Sequence, residues 1–325
     1  MPSSITRYQQ WIEQEIKKQQ YGKEPASLYE PIRYLMGLGG KRLRPMLTLL
    51  AYSLYKPDVK NVVRYAVAVE AFHNFTLMHD DIMDKAPLRR GKATVHKKWN
   101  VNTAILSGDV MLVKVYEMFL SVENDKLKRI LKAFNTCAAE VCEGQQWDME
   151  FETKPTVTED QYLNMIRLKT AVLLGFSLEL GAILAGADEK ECRALRQFGT
   201  NIGIGFQLKD DLLDAYADPK KFGKQVGGDI MSNKKTFLLI KALENARGKH
   251  KAELQQWLLA KKFKKDEKIA AVKSIYDALD IRVLTERKVN QYFKKGFTQL
   301  KTLQGSAEAL QRLNAFTEAL IGRQS

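Results

Sequence analysis

His73–Gly91 reads HNFTLMHDDIMDKAPLRRG, and the rest of the chain can be read outward from it. The stretch begins inside an apolar-rich segment, Asn61–Asp84. There Val62, Ala66, Val69, His73, Thr76, Asp80 and Asp84 recur in steps of three and four, which predicts a helix. Asp80 and Asp84, one turn apart, then project from one face, with Asp81 turned about 100° away. Pro87 closes the segment, and Arg89, Arg90 and Gly91 fall in a predicted loop. Carboxylates crowded at one helix end repel one another unless a cation sits between them. An all-oxygen donor set suits Mg²⁺, which keeps water and is commonly shared with a phosphate. The two arginines suit bidentate contact with phosphate oxygens. Taken alone, the motif fits an acidic helix end with a solvated basic loop equally well.

A second copy changes that balance. Phe206–Asp214 reads FQLKDDLLD and places Asp210, Asp211 and Asp214 in the same spacing, again on an apolar helix-like run, Leu195–Tyr216. Two such triads, each followed by basic residues, are hard to explain as solvated surface. Gly39–Pro45 reads GGKRLRP just before an apolar helix. Paired glycines admit a ligand close to the backbone, and Lys41, Arg42 and Arg44 put positive charge beside a helix N-terminus. The spacing is not that of a Walker A loop, and a plain basic turn is the alternative. His73 lies two turns before Asp80, which favours a ligand role over a core histidine; His79 has no such support. Ser107–Asp109 leaves Asp109 as a cap or a supporting partner. Gly144–Asp148 (GQQWD) puts Gln145 and Asp148 in an otherwise apolar helix, where buried polar groups need partners. Leu168–Ala171 (LKTA) sets a lysine in an apolar run, where it must snorkel or face an anion. Phe222–Lys224 (FGK), Gly227–Asp229 (GGD) and Lys234–Thr236 (KKT) form a Gly-rich, Lys-bearing segment after the second triad.

At 325 residues, with 45% hydrophobic and 28% charged residues, the composition is that of a soluble globular protein with a sizeable core. The N-terminal residues carry no signal-peptide core, and the longest near-apolar run, Ala171–Ala187, contains Glu179 and falls short of a membrane span. No integral membrane segment and a cytoplasmic location are therefore expected. The cysteines, Cys137, Cys142 and Cys192, are odd in number without a CxxC, as expected of reduced thiols. The net charge is +14, and a dense part of the basic excess lies in Arg247–Lys268, read as a helix pair with a solvated basic face. No nucleic-acid motif or aromatic-basic platform accompanies the charge.

Helical periodicity covers nearly the whole chain: 4–19, 26–36, 43–55, 61–84, 101–120, 125–152, 158–187, 189–217, 234–246, 251–261, 266–279, 282–303 and 306–321. No hairpin signal or low-complexity linker interrupts it. The expected fold is all-α, a single-domain helical bundle spanning residues 1–325 around a central cavity.

GGKRLRP, HDDIMDKAPLRRG, LKTA, FQLKDDLLD, FGK and GGDIMSNKKT, in that order, resemble the trans-prenyl diphosphate synthase family over roughly residues 30–240. The resemblance implies an isoprenoid synthase fold, a homodimer, and head-to-tail condensation of an allylic diphosphate with isopentenyl diphosphate. It implies that Asp80, Asp81, Asp84, Asp210 and Asp211, with Asp214 through water, hold about three Mg²⁺ on the allylic diphosphate. Arg89, Lys169, Lys224 and Lys234 would add charge to that leaving group. Lys41, Arg44, His73 and Arg90 would bind isopentenyl diphosphate, and Thr170 and Gln207 would stabilise the allylic cation through their dipoles. In the family the fifth and fourth residues before the first aspartate govern product length, here Phe75 and Thr76. They resemble the geranylgeranyl type, with farnesyl next. On an ideal wheel Phe75 lies off the line of Asp80, so Phe72 is a second candidate for the floor. A terpene cyclase usually lacks a full second DDxxD. A non-catalytic regulatory subunit, the remaining alternative, usually loses carboxylates or basic ligands that are intact here.

Overall fold

The computed structural model describes residues 3–217 and 226–322. Apolar periodicity becomes helix almost throughout: α1 (Ser3–Lys18), α2 (Ala26–Gly37), α3 (Leu43–Tyr52), α4 (Val63–Met83), α5 (Val95–Lys98), α6 (Val101–Phe119), α7 (Asn124–Thr153) and α8 (Glu159–Ile166). A π-helical turn, Arg167–Ala171, joins α8 to α9 (Val172–Ala185). There follow α10 (Glu189–Tyr216), α11 (Gly228–Met231), α12 (Phe237–Asn245), α13 (Gly248–Leu259), α14 (Lys265–Ala278), α15 (Ile281–Leu300) and α16 (Ala307–Gly322). The only sheet among the described residues is a hairpin of β1 (Leu88–Arg89) and β2 (Lys92–Ala93). The fold is all-α, as expected, and the hairpin is an addition. Its two linking residues, Arg90 and Gly91, both have positive φ, the primed-turn geometry usually signalled by Asn-Gly, which this sequence does not contain here.

The chain groups into two compact units. The first comprises Met1–Thr136, Phe176–Arg196 and Gln304–Leu313. At its centre α4 is buried nearly all round, with Ala66, Val67, Ala68 and Val69 fully enclosed by α1, α3 and α6. Below its midpoint Phe72 packs edge-on against Phe134, ring centroids 5.0 Å apart, and Phe134 in turn meets Phe119 and Phe176. Asn100 caps α6 by accepting the Thr103 N–H at 2.8 Å.

The second unit comprises Cys137–Gly175, Gln197–Leu303 and Asn314–Ser325. Its core gathers Ala215, Leu238, Leu239, Ala242, Leu254, Val272, Ile275 and Tyr276. A capping box, Thr158 with Gln161, starts α8. The continuous helical stretch Glu159–Ala185 is long and apolar enough for a membrane span by length and composition. This exceeds the run expected from sequence, because the helix starts well before Ala171; 89% of the apolar window is nonetheless buried inside the protein. Gly144 of α7 lies so close to the backbone of Leu168 and Lys169 that no side chain fits between them. That approach sets α7 against the π-helical turn.

Candidate functional site

In the first unit, the last turn of α4 carries the first triad. Asp80 is half-buried and Asp84, which ends the helix, is exposed. Asp81 is buried, and both carboxylate oxygens accept from Arg89: Nε donates to Oδ2 and Nη2 to Oδ1, each at 2.8 Å. The β-hairpin is what brings Arg89 back over the helix end. Asp81 and Arg89 therefore form a charge-assisted fork with each other, and Asp80 and Asp84 share the other face.

The GGKRLRP segment supplies the basic part. Gly39, Gly40 and Arg42 all have positive φ, so the chain turns left-handed into α3. The turn is held by Arg42, only 2% exposed, whose guanidinium donates to Glu13 at 2.8 Å, Glu70 at 2.9 Å and the Met36 carbonyl at 2.8 Å. Arg42 is thus part of the framework. Lys41 stands exposed beside it and Arg44 is half-buried in the first turn of α3. Arg90 donates to the Gly39 carbonyl and lies over Gly40, where a Cβ would come within 3.0 Å of its guanidinium. His73 is half-buried, and burial, followed by the charges of Arg44, Arg90, Arg89 and Arg42, holds its imidazole well below the usual pKa. A neutral imidazole ringed by guanidinium groups is a basin for a polyanion. His79 instead meets the Ile105 carbonyl at 3.2 Å and packs edge-on against Phe75. Asp109 sits 3.9 Å from it. Phe75 also touches Phe72, and the Thr76 hydroxyl donates back to the His73 carbonyl at 2.8 Å.

In the second unit, α10 carries Gln207, Asp210, Asp211 and Asp214. Asp210 is exposed and Asp214 half-buried. Asp211 is buried at 6% exposure; the Tyr162 hydroxyl donates to its Oδ2, and Gln207 Nε2 to its Oδ1 at 3.0 Å. Thr170 donates to Gln207 Oε1 at 3.2 Å, so the π-helical turn and α10 form one polar chain. Lys169, on the same turn, pairs with Asp148 of α7 at 2.5 Å. Asp148 of GQQWD thereby finds a partner, and the π turn, a local widening often found at functional sites, carries both Lys169 and Thr170.

The GGD segment completes this cluster. The Gly227 N–H donates to the Asp214 carbonyl at 2.6 Å and the Asp229 N–H to Asp214 Oδ2 at 2.9 Å. Asp211, Asp214 and Asp229 line one small cavity with Lys234 and Thr236. Burial and the charge of Asp229 push the Asp211 carboxyl up to about 7, against the pull of Tyr162, Lys234 and Gln207. Burial also raises Asp229, to about 6; Asp214 and Asp148 add to the rise and Lys234 opposes it. Carboxylates crowded and dried to this degree gain from a hard cation, and their oxygen-only donors fit Mg²⁺. Among the described residues no three His, Cys, Asp or Glu side chains form a cage by themselves. Mg²⁺ is commonly held by one or two carboxylates with phosphate oxygens and water, which is what these clusters offer.

Lys224 lies outside the described residues. Tyr162, Asp229 and Glu70 were not singled out from sequence as site residues, and Arg42, read there as part of the basic anion site, is taken up by Glu13, Glu70 and the Met36 carbonyl instead. Only Asp229 left a signal, its place in GGD beside the second triad.

The polyprenyl synthetase family profile matches residues 25–278. A short chain isoprenyl diphosphate synthase of Methanocaldococcus jannaschii is 44% identical over 262 residues, 80% of this chain and 79% of that protein. A geranylgeranyl diphosphate synthase of Methanosarcina mazei is 46% identical over 224 residues, 68% of each chain. Among solved structures, a geranylgeranyl pyrophosphate synthase superposes with a TM-score of 0.94 at 45% identity, covering 99% of both chains.

Proposed function

Because the chain belongs to the polyprenyl synthetase family, we propose that it condenses isopentenyl diphosphate head-to-tail with an allylic diphosphate, giving a short all-trans prenyl diphosphate. It is a trans-prenyltransferase, with geranylgeranyl diphosphate the favoured product and farnesyl diphosphate next. The observation that carries this reading is the pair of DDxxD helix faces, one beside a guanidinium-ringed histidine and one whose buried Asp211 sits against Asp229 in a small polar cavity.

Asp80 and Asp84, with Asp210, Asp211 and Asp214, bind the metal ions of the allylic diphosphate. Mg²⁺ held there supplies charge neutralisation for the diphosphate as its C–O bond breaks. Lys169, Lys234 and Arg89 add positive charge to the same leaving group, so the chain stabilises the separated charges more than the intact ester. Asp81 orients Arg89 through their fork. Lys41, Arg44, Arg90 and neutral His73 hold isopentenyl diphosphate. The oxygens of Thr170 and Gln207 face the developing cation with their dipoles, and the apolar helix faces keep water from quenching it. The departing diphosphate takes the final proton. A homodimer through the exposed apolar residues of α6 (Val101, Ile105, Leu106 and Val113) and a cytoplasmic location complete the proposal.

The test is pyrophosphate release from isopentenyl and dimethylallyl diphosphates, titrated with Mg²⁺. Asp80→Ala and Asp211→Ala should each lower kcat by about a hundredfold or more. Full activity with the metal chelated would contradict the reading.

A further inference from the structure

Lys268 is the least expected cation in the chain. It stands at the end of the basic Arg247–Lys268 stretch, whose sequence suggests a solvated face, yet it is only 1% exposed. Its ammonium donates to Asn233 Oδ1 at 2.6 Å and to the Met231 carbonyl at 3.4 Å, and lies 4.4 Å from the centre of the Phe263 ring. Burial lowers its pKa. A buried ammonium is costly, and one that is kept needs a structural reason.

That reason lies in the segment it grips. Gly227–Thr236 carries both Asp229 and Lys234, and it is tied at two ends. Its front is tied to the second triad through the Gly227 and Asp229 N–H groups on Asp214. Its back is tied to Lys268, and through Asn233 Nδ2 to the Leu258 carbonyl at 3.0 Å. Asn233 sits in the left-handed region at φ 54°, immediately before Lys234. The Lys234 N–H then returns to the Asp229 carbonyl at 2.9 Å, closing the turn. We infer that Lys268 is a positioning residue: through Asn233 it fixes the turn that holds Asp229 and Lys234 against Asp211 and Asp214. An apolar side chain of similar length would fill the space but leave Asn233 Oδ1 and the Met231 carbonyl without this donor. The back of the turn would then be held only by the Asn233 bond to the Leu258 carbonyl.

The inference rests on the reading of this cluster as the seat of a metal-bound diphosphate, and its test separates the two. Lys268→Met and Asn233→Gly both remove the Lys268–Asn233 bond, the first with the bond to the Met231 carbonyl and the second with the bond to the Leu258 carbonyl. Asn233→Gly keeps the left-handed turn, so it serves where Lys268→Met does not fold. In metal-free protein, hydrogen exchange at the Asp229 and Lys234 amides should quicken about tenfold or more in each variant, with the α14 amides unchanged. Calorimetry with inorganic pyrophosphate and Mg²⁺ should show affinity reduced about tenfold. In turnover, KM for the allylic diphosphate should rise by a similar factor while KM for isopentenyl diphosphate stays within about twofold. Because the two share the Lys268–Asn233 bond, the double variant should lose clearly less than the sum of the two single losses. Unchanged exchange at these two amides, equal shifts in both KM values, or additive losses in the double variant would each overturn the assignment. A wild-type protein that binds no Mg²⁺–pyrophosphate would overturn the diphosphate reading alone, with the exchange result still deciding the role of Lys268.

Discussion

Asp81 and Asp80 are neighbours in one motif, and the structure predicts that their removal does different things. The Asp81 carboxylate is 3% exposed and makes two bonds of 2.8 Å to Arg89, itself 24% exposed. Asp81→Ala leaves a largely dried guanidinium with no partner in the fork, a loss of about 3 kcal/mol for a pair of this burial. Unfolding entropy of about 2.1 cal/mol/K per residue gives a chain of this length about 0.7 kcal/mol/K, so the melting temperature should fall by about 4 °C. Asp80→Ala removes a half-buried carboxylate from the face it shares with Asp84, and should leave the melting temperature of the metal-free protein nearly unchanged. The Mg²⁺ dependence should show the reverse. Asp80→Ala should raise the half-saturating metal concentration strongly, whereas Asp81→Ala should chiefly lower kcat through a displaced Arg89. Thermal melts in chelator, paired with Mg²⁺ titrations of pyrophosphate release, read both effects. If Asp81→Ala melts with the wild type and shifts the Mg²⁺ curve as far as Asp80→Ala, the fork is not its function and Asp81 returns to the metal set.

Other consequences follow from the same geometry. With Asp211 pushed up to about 7 and Asp229 to about 6, the metal-free folded state binds more protons than the unfolded chain above a carboxylate's ordinary range. Stability should therefore fall as pH rises from about 4 to 7. Metal binding at about pH 6.5 should displace about one proton, summed over the two groups. Calorimetry in buffers of different ionisation enthalpy would show this, and zero proton release would contradict it. Gly144→Ala would drive a methyl into the Lys169 backbone. It should destabilise by about 1–3 kcal/mol and lower kcat by moving Lys169 and Thr170; unchanged melting and kcat would show that the helix contact has slack. Phe72→Ala and Phe75→Ala open space in the aromatic cluster beneath Asp80, and each should lengthen the product by mass spectrometry. Unchanged length in both would remove them from chain-length control.

Helices were legible because their apolar faces recur at helical spacing, and both triads lie on the helices that the spacing predicts. The misses have separate physical causes. Arg90 takes a left-handed conformation usually left to Asn or Gly, so no turn signal marked the hairpin that delivers Arg89 to Asp81. RLKTA is ordinary helical sequence; its π turn follows from the contacts of Gly144, Lys169 and Thr170 with other helices. Arg42 and Lys268 each look like surface charge, because their acceptors, Glu13 and Glu70 for one and Asn233 for the other, lie far away in sequence. Asp229 showed only as a glycine-flanked aspartate, and its part in the cluster depends on the turn that Asp214 and Lys268 hold.

The central claim is tested most directly by chain lengths. Purified protein, Mg²⁺ and isopentenyl diphosphate would be incubated with dimethylallyl, geranyl or farnesyl diphosphate, and the products read by mass spectrometry. The account predicts a dominant all-trans geranylgeranyl diphosphate, or farnesyl diphosphate from the shorter primers. Folded protein that condenses none of the three primers would contradict it.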